Sequence, residues 1–163
     1  MEEARVGLAT EETPGLSWSR PFIERRKVEL YTSHWRNPDL AGLDAVPVGI
    51  SRGVPRGKQA SQLPYRYKRL VDLAPSSELF KRWKAGVVGP EEYTRIYRGY
   101  LDSLGAEEVM GQFEKKGAEN GGKPLVLLCW CSPGEFCHRR VWADWYFEKT
   151  GQKVPELAEP PAT

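Results

Sequence analysis

Reactive side chains are scarce in this sequence of 163 residues, which holds three cysteines, two histidines and two methionines. An odd number of cysteines confined to one short stretch makes a poor disulfide framework and points to thiol or metal chemistry in a reducing compartment. No apolar run approaches the length that crosses a membrane, and Met1 is followed by Glu2 and Glu3 rather than by a basic and then apolar leader. The expected setting is therefore cytoplasmic, with no membrane partner. A dominant charge is also missing: 24 Lys and Arg against 22 Asp and Glu leave a net +2. That excludes the global field of a chromatin-like protein, so any nucleic-acid contact rests on a local patch. The sequence contains no internal repeat and no linker that would divide its middle.

What is present is enough for one ordinary core: 40% of the residues are hydrophobic, with six Trp, seven Tyr and five Phe among them. Residues 1–20 mix small, acidic and turn-forming side chains without periodicity and read as an arm. Residues 21–157 read as a single domain and 158–163 as a tail. Val28 to Trp35 alternates at first and suits a strand ending near Thr32 to His34. Ala45 to Ile50 is a second short apolar run, in which Pro47 implies a late start or an edge position. Ser51 to Arg69 is punctuated by Gly and Pro, strongly basic and without Asp or Glu, and reads as a long loop. Ser76 or Ser77 caps a helix carrying Leu79, Phe80 and Trp83, with Gly86 as its stop. Pro90 opens a better helix, because Tyr93, Ile96, Tyr97, Tyr100, Leu101 and Leu104 share one face. A shorter helix runs from Ala106 to about Lys116.

Asn120-Gly121-Gly122 then turns into Leu125 to Trp130, a continuous apolar run of the kind a central strand buried on both faces requires. The last helix spans about Cys137 to Thr150 before Gly151, and Val154 could start a terminal strand. Strands separated by helices imply an α/β class: one layered domain with a mostly parallel, Rossmann-like sheet and flanking helices. Sites in such sheets form beyond the carboxyl ends of the strands, here His34, Ser51-Arg52 and Cys129 to Cys131.

All three cysteines, one histidine and an Arg-Arg pair fall within this strand, loop and helix. The first turn of the helix offers free backbone N–H groups and a positive dipole end, a ready anion site. Arginines are normally disfavoured there. Either Arg139 and Arg140 face a bound phosphate or similar anion, or they pair locally, Arg140 with Asp144 and Arg139 with Glu135. Ser33, His34, Ser51 and Arg52 would join that anion site from the neighbouring strand ends. Cys137, at a helix start beside cations, should have a lowered pKa and is the candidate for covalent chemistry, with His138 as its acid/base partner or as a hydrogen-bonded core histidine. Cys129 and Cys131, two apart on extended chain, share a face and read either as small buried hydrophobes or as ligands. Cys129, Cys131, Cys137 and His138 form the pattern C-x-C-x5-C-H, a soft donor set for zinc, although the spacing matches neither common paired-knuckle pattern. No other cofactor is implied. In the basic loop, Arg56, Lys58, Arg66 and Lys68 alternate with Tyr65 and Tyr67. Guanidinium groups beside aromatic faces are what a single-stranded nucleic acid uses, and a merely solvated loop is the alternative.

With these residues in place, the chain resembles the DUF488 family of small α/β proteins, a family without an assigned function. The resemblance is carried by Leu127-Leu-Cys-Trp-Cys131 and Phe136-Cys-His-Arg139. Tyr31-Thr-Ser33, Ile50-Ser-Arg52 with Pro55, and Tyr67 to Leu70 followed by Leu73 to Ser76 support it in order. It covers most of residues 28–157 and implies the layered α/β fold, with Cys129, Cys137, His138 and Arg139 as signature residues. One departure stands out: similar proteins tend to carry Glu where this chain has Cys131.

Three functional readings follow. One is an enzyme or binding protein for an anionic small molecule, a nucleotide or a nucleic-acid fragment. Another is a non-enzymatic nucleic-acid-binding or assembly module with a structural cysteine cluster. The third is a zinc-stabilised or thiol redox protein.

Overall fold

A computed structural model describes residues 27–131 and 135–157. The readings for residues 1–20 and 158–163 lie outside the described residues. Four strands form one parallel sheet: β1 (Leu30–His34), β2 (Val46–Gly49), β3 (Lys68–Arg69) and β4 (Leu125–Cys129), in the order β1-β4-β2-β3. β4 sits inside the sheet and every residue of it is buried, as its unbroken apolar run demands. Its side chains alternate. Leu125 and Leu127 enter the main core with the helices, whereas Val126 and Leu128 pack on the opposite face with Trp35 and Leu40. By the same alternation Cys129 faces the helices.

The expectation that Pro47 marks an edge or a late strand start is corrected. β2 runs from Val46 and has a partner on each side. The Val46 N–H donates to the Pro124 carbonyl just before β4, and the Ile50 N–H to the Leu128 carbonyl within it. Position 47 therefore turns its missing donor toward β3, which pairs only with Val48 and Gly49, so no ladder bond is lost. Gly49 is required sterically: a Cβ there would lie 2.6 Å from Cζ2 of the buried Trp35 ring.

Four helices pack on one face: α2 (Ser77–Lys84), α3 (Pro90–Leu104), α4 (Ala106–Glu119) and α5 (His138–Thr150). Ser76 caps α2 by accepting from the Leu79 N–H at 3.1 Å. Tyr93, Tyr97 and Leu101 form the buried stripe of α3. α4 continues to Glu119, three residues beyond the sequence reading. α5 is buried nearly all round its first turns and ends at Gly151 in the left-handed conformation. There Trp142 stacks on Tyr146 at 4.9 Å, and Phe113 of α4 meets both edge-on at 5.4 and 5.6 Å. An aromatic side chain of this kind buries roughly 150–250 Å². At roughly 25 cal/mol per Å² that is about 4–6 kcal/mol of transfer free energy before entropy is counted.

The segment read as one long loop covers the other sheet face. It contains a single helical turn, α1 (Lys58–Ser61), as well as β3. A two-residue strand with both side chains exposed leaves no periodicity to read. Tyr65 and Tyr67 are used structurally: the Tyr65 hydroxyl donates to the Trp35 carbonyl at 2.6 Å, and Tyr67 meets the Trp35 ring edge-on at 4.8 Å. In place of a terminal strand at Val154 there is one parallel bridge, Thr32 to Glu156, beside β1.

Candidate functional site

The carboxyl ends of β2 and β4 open into a cavity of about 560 Å³, within the roughly 300–1,000 Å³ of small-molecule sites. Its floor holds Cys129 from the end of β4, Cys131 just beyond it, and Cys137 and His138 from the start of α5. Trp83, Tyr93 and Phe136 form one wall, with ring centroids 4.9–5.3 Å apart. The rim carries Arg52 and Lys84, both exposed, and Glu135.

The three sulfurs lie within 4.8 Å of one another. Cys129 and Cys137 are buried, with Sγ atoms 2.9 Å apart, and Cys131 is half-buried against the cavity. The expectation of a lowered Cys137 pKa is corrected. Hydrogen bonding to the Cys129 and Cys131 sulfurs, reinforced by burial, pushes the Cys137 thiol up. Cys131 is the thiol held far below its ordinary value, because Cys129 and Cys137 hydrogen-bond to its sulfur and because His138 and Arg139 add positive potential. Cys129 is pushed up to about 11, chiefly by its contact with Cys131. The direction of the shifts thus differs across the cluster: downward for the sulfur that faces the cavity and upward for the two buried ones.

His138 is fixed at both nitrogens. Nε2 lies 2.9 Å from the Ile50 carbonyl oxygen, which can only accept, so Nε2 carries the proton. Nδ1 lies 3.4 Å from Cys129 Sγ. Tyr97 meets the ring edge-on at 5.6 Å.

The two arginines are engaged within the chain. Arg139 is 1% exposed, and its Nε and Nη2 donate to the two carboxylate oxygens of Glu156 at 3.1 and 2.8 Å. Its Nη1 donates to the Cys131 carbonyl at 2.7 Å and approaches Cys137 Sγ at 3.5 Å. Arg140 Nη1 donates to Thr32 Oγ1 at 2.7 Å and to the Val154 carbonyl at 2.9 Å. Their counterparts are thus Glu156, the Thr32 hydroxyl and backbone oxygens, rather than Glu135 and Asp144 as local pairing would have it. Neither arginine lines the cavity. Arg139 positions the thiols instead, tying the Cys131 backbone to Glu156.

Ser51 and Arg52 do line the cavity: Ser51 accepts from Trp35 Nε1 at 3.0 Å, and Arg52 Nε donates to the Pro75 carbonyl at 2.9 Å. Ser33, accepting from Asn37 Nδ2 at 2.9 Å, and buried His34 lie at the end of β1, outside the cavity lining. Arg56, Lys58, Arg66 and Lys68 are all exposed on the covering segment.

Over residues 30–150 the chain matches the family described as the active DUF488-N3 subclade. It belongs to the DUF488 family. No curated protein and no solved structure matches the chain. Sequence reasoning about this DUF488 protein missed Glu156, Lys84 and the aromatic wall of Trp83, Tyr93 and Phe136. Phe136 stands next to the Cys-His-Arg motif and offered a cue. Glu156 lies seventeen positions from Arg139, with no periodicity to connect them.

Proposed function

We propose that this DUF488 protein is a thiol-dependent enzyme acting on a nucleotide or a similar phosphate-bearing aromatic molecule. One observation carries the reading: the sulfur of Cys131, whose pKa is lowered by hydrogen bonds from Cys129 and Cys137, faces a cavity with aromatic walls and with Arg52, Lys84 and Glu135 at its rim. A flat ring packs against Trp83, Tyr93 and Phe136, and Arg52 and Lys84 attract the phosphate. Cys131 Sγ then bonds to the electrophilic atom of the substrate, and the leaving group departs with the bonding pair. The Cys129–His138 pair supplies that group's proton. Water, deprotonated by the same pair, next displaces the sulfur and restores the thiolate. The family's description as an active subclade agrees with this reading.

Thermal-shift titration with nucleoside mono- and diphosphates tests binding. Stabilisation that Arg52→Ala weakens, together with turnover that Cys131→Ser abolishes, is expected. Failure of every nucleotide and of inorganic phosphate to stabilise the protein overturns the proposal, as does full turnover in Cys131→Ser.

The sulfur triad favours a second reading. Three thiols within 4.8 Å, next to the Nδ1 of a histidine whose other nitrogen is fixed by a backbone carbonyl, make a donor set suited to zinc. Zinc held there would close the site as a structural centre and remove Cys131 as a nucleophile. Elemental analysis of protein purified under reducing conditions separates the two: stoichiometric zinc supports the second reading and its absence the first.

A further inference from the structure

A second cavity, of about 420 Å³, lies at the same end of the sheet. Residues that follow β1 and the segment around α1 line it, and it shares two residues with the first cavity, Gln59 and Trp130. The half-buried Trp130 is therefore a partition between two adjoining spaces. Its ring is pinned in that role, because Nε1 donates to the Gly53 carbonyl at 3.0 Å and the indole leans on Trp35 at 5.9 Å.

The chemistry of the second space is specific. Tyr65 and Trp130 offer aromatic surface, and Gln59 and Gln62, both exposed, offer amides that donate and accept. Arg36 supplies the cation, and among the described residues no carboxylate lines this space. Exposed Arg56 and Lys58 precede Gln59 along the chain. Aromatic faces, two-way amides and a set of cations suit a base and its phosphodiester link, not an isolated phosphate or an acidic peptide.

Resting on the nucleotide reading above, we propose that the substrate is a single-stranded nucleic acid rather than a free nucleotide. The reacting nucleotide occupies the cysteine cavity. The neighbouring nucleotide occupies the second cavity across Trp130, its phosphate facing Arg36. Trp130 separates the two bases, so the enzyme acts on one unit while gripping the next.

The test compares binding of a fluorescein-labelled single-stranded tetranucleotide, measured by anisotropy, with that of the corresponding unlabelled 5′-mononucleotide, measured by competition. One additional stacked and phosphate-paired nucleotide should tighten binding by about tenfold or more. Arg36→Ala with Gln62→Ala changes exposed residues only, so the fold is retained. In that variant most of the gain should disappear, while mononucleotide affinity stays within about twofold and the salt dependence of tetranucleotide binding becomes shallower. A tetranucleotide that binds no tighter than the mononucleotide overturns this inference and leaves the nucleotide reading standing. So does a gain that survives the double variant. If neither ligand binds, both proposals fall.

Discussion

Replacing Glu156 by Ala tests the claim that the thiol cluster is held from the far end of the chain. The carboxylate accepts three hydrogen bonds: from Arg139 Nε at 3.1 Å, Arg139 Nη2 at 2.8 Å and Thr32 Oγ1 at 2.6 Å. The Arg139 side chain is only 1% exposed, so in the variant its charge keeps the Cys131 carbonyl but loses its counter-ion. Breaking a buried pair from one side costs about 3–5 kcal/mol. Because Glu156 is 23% exposed, water can reach the vacated position, and the expected loss falls to about 2–3 kcal/mol. For a chain of this length that corresponds to a Tm lower by about 4–12 °C. Urea unfolding followed by the fluorescence of buried Trp35, Trp142 and Trp145 reads it directly. The pair Arg139→Met with Glu156→Leu should recover part of the loss, since it removes the uncompensated charge altogether. A loss below about 0.5 kcal/mol in Glu156→Ala, or no recovery in the double variant, would refute the claim that a buried charge depends on Glu156.

Thiol labelling distinguishes the three sulfurs. Cys131, held as a thiolate, should react first and at a rate nearly flat from pH 8 to pH 6, whereas an ordinary thiol slows about tenfold per unit as pH falls below its pKa. In Cys129→Ala the sulfur of Cys131 loses a hydrogen-bond donor, its pKa rises and labelling at pH 6 slows; three equal, ordinary rates would contradict the assignment. Gly49→Ala drives a methyl group against the Trp35 ring and should cost about 1–3 kcal/mol in urea unfolding, with less than additive loss when combined with Trp35→Phe. Phe113→Ala empties the space edge-on to Trp142 and Tyr146 and should cost about 3–5 kcal/mol, measured the same way.

Local features of the sequence were enough for the elements that depend on local rules. The unbroken run from Leu125 could satisfy itself only as an interior strand, and Pro90 with the stripe through Leu101 required the helix observed at Pro90–Leu104. Ser76 and Gly151 act as the cap and the stop their side chains permit. Pro47 misled, because whether a missing N–H matters depends on how far the neighbouring strand extends, and β3 is only two residues long.

The site divides along the same line. By itself the sequence brought three cysteines, His138 and two arginines close together along the chain, and of these the cysteines and His138 line the main cavity. Which thiol has its pKa lowered was decided only by the tertiary structure. A thiol pKa follows burial and the donors within a few ångströms, and these lower that of Cys131 and raise that of Cys137 at the helix start. The counter-ion of Arg139 was settled in the same way. Glu156 reaches it because the chain beyond α5 returns along β1, a contact between remote segments that no local spacing encodes.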